Sequence, residues 1–216
     1  MRKNSCRQST VWHGLCIFCC VTKNHSKQEN KMKNVLIVSG HTDLNDSVAN
    51  KIVLDALRRD CPDAEFSVLS ELYPDFRIDV ETEQEKLRRA DVVVWQFPLF
   101  WYSMPSLMHR WVEDVFVRGF SHGSTGHALK GKKLVASFTT GGPEEYYSHE
   151  MLGYTIEELV MSQVRSIAGL CGMEVADYVF TGGVSYDLRS NPEQLENIRK
   201  VSADHARRLE AVIEKL

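Results

Sequence analysis

The chain has 216 residues, 43% apolar and 25% charged, enough for one α/β domain with a buried core and too few for two of ordinary size. Its formal net charge is −3, which argues against a nucleic-acid binder, whose face or stripe would be basic, and against a carrier steered by a strongly acidic surface. Four of the six cysteines (Cys6, Cys16, Cys19, Cys20) fall in the first twenty residues. The main body therefore has no disulfide framework and reads as cytoplasmic.

Residues 1–31 show neither a helical nor a strand period. Arg2, Lys3 and the apolar patch 11–21 resemble a signal peptide, but His13 and Gly14 interrupt the patch and no clean cleavage site follows. Cys16-x-x-Cys19 with His13 or His25 has metal-ligand spacing, but no second pair completes it. The adopted reading is an extension without a fold of its own, with the folded domain at 32–216. No run of eighteen apolar residues occurs, so no transmembrane helix is expected.

From Lys33 onward, strands and helices alternate. Residues 34–39 form a short apolar run, as in a parallel strand buried on both faces. A helix is predicted over 47–59, with Val48, Ile52, Val53, Ala56 and Leu57 on one stripe. A strand at 65–69 and the loop Leu72-Tyr73-Pro74-Asp75-Phe76 lead to a polar helix, 80–89. The third strand, 91–96, is strongly apolar. Pro105 suits the first turn of a helix running to 118. Strand four is 133–139, a helix follows over 155–170, strand five is 174–180, and a last helix runs from Pro192 nearly to the C-terminus. This pattern predicts an α/β three-layer sandwich, with helices on both faces of a five-stranded parallel sheet of order 2-1-3-4-5.

In such a sheet, ligands bind beyond the carboxyl ends of the strands, where the strand order reverses. The loops after strands one, three and four carry the unusual residues. The first runs into a helix N-terminus, whose free N–H groups and dipole suit phosphate. His41, Ser47 and Asn50 are added donors; capping by Asn45, Asp46 or Ser47 is the plainer alternative. There is no Gly-x-Gly-x-x-Gly and no Walker motif. The second loop, Pro98-Leu99-Phe100-Trp101-Tyr102-Ser103, carries three successive aromatics that suit a planar ligand or a dimer interface. In the third, Thr139-Thr140-Gly141-Gly142, the glycines allow close approach of backbone donors. Tyr147 and His149 follow as candidates to line a substrate pocket.

At these loops the chain resembles the flavodoxin-like NAD(P)H dehydrogenase (quinone) family. Within it, the chain most resembles the ancillary flavoproteins of the glutathione-regulated potassium-efflux system. The motifs are Leu72-Tyr73-Pro74-Asp75-Phe76, Val94-Trp95-Gln96-x-Pro98-x-x-Trp101-Tyr102-Ser103-x-Pro105, and Thr139-Thr140-Gly141-Gly142. The resemblance implies a flavodoxin-like fold, FMN as cofactor, NADPH or NADH as co-substrate, and a quinone or similar electrophile as acceptor. It puts the FMN phosphate at His41 and the Ser47-Val48-Ala49-Asn50 turn. It puts the flavin ring against Pro98, Leu99, Phe100, Trp101 and Tyr102 and against Thr139 to Gly142. Tyr147 and His149 become the catalytic candidates. A homodimer with sites at the subunit interface is also implied. The alternative function is a regulatory subunit of a membrane potassium-efflux transporter, which would bring a cytoplasmic protein to the inner membrane face. Asp43 and Asp46 depart from the pattern by putting negative charge in the phosphate loop; both are expected to point outward or to cap the helix.

Overall fold

Val35–Ser39 forms strand β1 and Val92–Pro98 forms strand β3 because runs of β-branched and aromatic residues pack well on a pleated surface buried from both sides. All seven residues of β3 are buried. The computed structural model describes residues 33–216; the targeting, metal-site and extension readings of 1–31 lie outside the described residues. With β2 (Glu65–Val68), β4 (Lys133–Thr139) and β5 (Glu174–Thr181), the strands form one parallel sheet in the order β2-β1-β3-β4-β5. This is the expected three-layer arrangement, because alternate strand residues face opposite helix layers.

One layer contains α2 (Leu69–Leu72), α3 (Val80–Arg89), α4 (Ser106–Val115) and α5 (Ser162–Cys171). Their residues Leu69, Leu87, Leu107, Met108, Trp111 and Val164 pack on Trp95, Phe97, Leu134 and Phe138 of the sheet. The other layer is α1 (Ala49–Asp60) and α6 (Pro192–Glu214), whose Val53, Leu57 and Leu209 cover Ile37, Val92, Val94 and Val135. No described helix is long and apolar enough to cross a membrane.

Several element ends differ from the sequence expectation, each for a packing reason. Strand β3 continues two residues beyond 96 because Phe97 stacks on Phe138 at 5.7 Å and Pro98 still aligns with Thr139. Helix α4 ends at Val115, not 118, because Phe116 turns back into the core, with ring centroids 5.3 Å from Trp111 and 5.9 Å from Trp95. The helix predicted from 155 opens on a reciprocal cap: the Glu158 N–H donates to Thr155 Oγ1 at 3.2 Å, and the Thr155 N–H donates to Glu158 Oε2 at 2.8 Å. A capping box of this kind satisfies two free donors at once. Residues Glu157–Met161 are π-helical before α5 begins.

The Leu72–Phe76 motif has a structural explanation. Tyr73 Oη donates to Glu83 Oε1 at 2.9 Å, as do Ser67 Oγ at 3.0 Å and Lys86 Nζ at 2.6 Å. Trp111 Nε1 donates to Glu83 Oε2 at 2.8 Å. Glu83 is thus a fully buried carboxylate holding β2, the loop after α2, α3 and α4 together. Burial, together with Glu83, pushes the Tyr73 phenol up.

Candidate functional site

A cleft of about 310 Å³ opens at the carboxyl edge of the sheet, where the parallel topology gathers the loops after β1, β3, β4 and β5. The first wall is the β1–α1 loop. Its Gly40 N–H donates to the Gln96 carbonyl at 2.8 Å. A Cβ at Gly40 would lie 2.7 Å from Met108 Cβ, so glycine is required for this close approach of loop and helix. His41 is buried, with its ring edge-on to Phe100 at 5.4 Å. Its Nδ1 accepts the Asp43 N–H at 3.0 Å, so the neutral ring carries its proton on Nε2. Burial lowers the His41 pKa and favours that neutral form.

Asp43 behaves as expected. Its carboxylate accepts the Asn45 N–H at 3.0 Å and caps the short 3-10 turn Leu44–Asp46. Asp46 does not cap α1, and its side chain is largely exposed, as expected, at the rim of the cleft. It lines the cleft, with Oδ1 3.4 Å from Arg189 Nη1, because Arg189 supplies an opposite charge there. Ser47 Oγ accepts the Asn50 N–H at 3.2 Å and caps α1, which leaves its own proton free to donate. The N–H groups of Val48 and Ala49 make no hydrogen bond to another described residue. The first turn of this twelve-residue helix thus offers free donors and the positive end of a dipole.

Asn50 lines the cleft, but its amide belongs first to the floor. Ser39 Oγ donates to Gln96 Oε1 at 2.7 Å, Gln96 Nε2 to Asn50 Oδ1 at 2.6 Å, and Asn50 Nδ2 to Thr139 Oγ1 at 3.1 Å. This buried chain ties the ends of β1, β3 and β4 to α1. Networks of satisfied polar groups rigidify the elements that they join.

Pro98, Leu99 and Phe100 line the second wall. Phe100 and Ser103 exchange backbone hydrogen bonds at 3.0 Å in both directions. The two residues between them have positive φ, 50° for Trp101 and 63° for Tyr102. This is the geometry of a type I′ turn, which favours Asn and Gly. Bulky residues in the left-handed region store strain of order 1–3 kcal/mol each, a feature that clusters at functional sites. Trp101 is 95% exposed and Tyr102 47%; neither lines the cleft in one chain.

Thr139, Thr140 and Gly141 line the third wall. Gly142 faces away: its carbonyl accepts Thr140 Oγ1 and the Gly183 N–H, both at 2.8 Å. Tyr147 also stands back from the cleft, edge-on to Phe180 at 5.7 Å. Burial pushes its phenol up, so it stays a donor at neutral pH. His149 is exposed and is not brought to the cleft with the other candidates. Its Nδ1 lies 3.1 Å from the Gly153 carbonyl and its Nε2 3.2 Å from Glu158 Oε2, so both ring nitrogens are engaged away from the cleft.

The fourth wall, after β5, did not figure among the sequence candidates. Val184, Ser185, Tyr186 and Arg189 line the cleft. A Cβ at Gly182 would come within 2.7 Å of the Glu144 backbone nitrogen, so this turn packs directly on the β4 loop. The signal was present: Gly182-Gly183 ends β5 as Gly141-Gly142 ends β4, and a lone Arg follows.

One end of the cleft therefore carries anion-binding groups and the other a flat apolar shelf. Arg189 Nε is buried without a partner among the described residues, so the donor set fits an anionic group such as the phosphate of FMN. A model of the family with a flavodoxin-like fold matches residues 33–206. The chain belongs to this flavodoxin-like family. The flavodoxin-like domain is 39% identical over 140 residues to the glutathione-regulated potassium-efflux system ancillary protein KefF of Enterobacter sp. (strain 638), covering 65% of this chain and 78% of that protein. Among solved structures it is similar to general stress protein 14 of Treponema denticola in complex with FMN, at 27% identity and TM-score 0.73, over 83% of this chain and 99% of that one. It shares its fold with an NADPH-quinone reductase from P. pentosaceus, at 24% identity and TM-score 0.63, over 80% and 97% of the two chains.

Proposed function

We propose that this flavodoxin-like protein is an FMN-dependent NAD(P)H:quinone oxidoreductase. The observation that carries this reading is the division of the cleft into an anion-binding end and an apolar shelf, which matches a phosphorylated planar cofactor. The FMN complex of a similar solved structure supports it. His41 Nε2, Ser47 Oγ and the N–H groups of Val48 and Ala49 would hold the phosphate. Pro98, Leu99 and Phe100, together with Thr139, Thr140 and Gly141, would hold the ring. When bound, FMN supplies the hydride chemistry, taking two electrons from NADPH or NADH and passing them to a quinone or similar electrophile.

The protein's part is position and charge. The polar chain from Ser39 to Thr139 fixes the floor. The Gly141 N–H, which has no hydrogen-bond partner among the described residues, can donate to negative charge that develops on the ring. Tyr147, held protonated by burial, is the proposed donor at the outer edge of the site; His149 is given no part. The exposed turn at Trp101 and Tyr102 would cover the ring in a homodimer. Donor and acceptor would use the same space in turn. Initial rates at varied NADPH and several fixed quinone concentrations are then expected to give parallel double-reciprocal lines; intersecting lines would contradict a shared site.

A second reading comes from the KefF relative, named as an ancillary protein of a potassium-efflux system. In that reading the chain regulates a membrane transporter and works at the membrane face. Retention of the purified protein by transporter-containing membranes would favour it.

A further inference from the structure

The contacts of Arg189 leave its buried Nε without an acceptor among the described residues. Nη1 donates to the Asp46 carbonyl oxygen at 2.5 Å and lies 3.4 Å from the Asp46 carboxylate. The guanidinium carbon sits 4.4 Å from the centre of the Tyr186 ring. Nε is buried and has no partner among the described residues. An N–H of a charged group, removed from water and left without an acceptor, is costly and asks for an explanation. This one belongs to a residue that lines the same cleft as His41 and Ser47.

The charge balance at this end of the cleft points the same way. The first turn of α1 and the neutral His41 supply dipoles and hydrogen-bond donors but no full positive charge. Asp46 brings a full negative charge to the same end. Without Arg189 the anion-binding end would carry a net negative charge and would repel a phosphate monoester. Arg189 offsets Asp46, and its planar fork matches phosphate oxygens. We propose that Arg189, on the turn after β5, is the counter-ion of the phosphate in this cleft and makes the site select FMN over riboflavin. The proposal rests on the flavin reading above.

The test is a fluorescence titration of flavin-free protein with FMN and with riboflavin, in phosphate-free buffer, for wild type, Arg189→Gln and Arg189→Lys. Loss of a charge-assisted hydrogen bond predicts FMN binding about 10- to 100-fold weaker in Arg189→Gln. Riboflavin binding should stay within about twofold, because it has no phosphate; that retained binding also reports an intact fold. Arg189→Lys, which keeps the charge and loses the fork, should fall between. Equal weakening of both flavins, or FMN binding as tight as wild type in Arg189→Gln, would overturn the proposal and leave the flavin reading standing. A wild-type protein that binds neither flavin would overturn both.

Discussion

Replacing Glu83 by alanine is expected to lower folding stability by about 3–5 kcal/mol, the range for removing one partner of a buried ion pair. Glu83 is fully buried, and its carboxylate accepts from Ser67, Tyr73, Lys86 and Trp111. Alanine would strand the largely buried Lys86 ammonium and leave the Tyr73 hydroxyl and Trp111 indole N–H without their partner. Unsatisfied buried donors cost far more than a net hydrogen bond is worth. Glu83→Gln, which keeps the oxygen for some donors, should cost less. Chemical denaturation of both variants checks this. A loss below about 1 kcal/mol for Glu83→Ala would mean that the network is not the joint between β2, α3 and α4.

The second large effect is on pH. His205 is fully buried between the sheet and α6. Its Nε2 lies 2.8 Å from Ser137 Oγ and its Nδ1 2.9 Å from Thr181 Oγ1. Burial, reinforced by Arg208, pushes its pKa down to about 3. In the unfolded chain it titrates near 6.5. The unfolded state therefore binds the extra proton between those values, and stability falls as pH drops below about 6.5. From pH 7.5 to pH 5 the loss from this one group is about 2 kcal/mol. His41, also lowered by burial, acts with the same sign, so the variant comparison isolates His205. His205→Gln keeps a donor and an acceptor between the two hydroxyls but does not titrate. Its unfolding free energy, from chemical denaturation, should change about 2 kcal/mol less than that of wild type between the two pH values. Equal shifts would contradict the assignment.

These two groups also mark where sequence reasoning stops. The strand run 92–96 and the Pro105 start of α4 were legible because they follow from local pattern and backbone sterics. The strand order followed from alternation together with right-handed crossovers and the fit of five strands to the flavodoxin-like order. Glu83 was hidden because the segment Val80–Arg89 is a strongly polar helix, which reads as solvated until Trp111 and Tyr73 close over it. Phe116 ended α4 early through contacts with Trp95 and Trp111 that no local signal announces. At the site, His41, Ser47 and the loops after β3 and β4 were found from residue type at a strand end. Arg189 was not, because it meets Asp46 across 143 residues of sequence. The turn at Trp101 and Tyr102 also lacks the Asn or Gly that marks its type.

The most direct measurement of the central claim is an anaerobic absorption spectrum of the purified protein, recorded alone, after NADPH and again after a quinone. The FMN oxidoreductase reading predicts visible flavin bands that bleach in one step with NADPH and return with the quinone. A colourless protein that takes up no added FMN would contradict it.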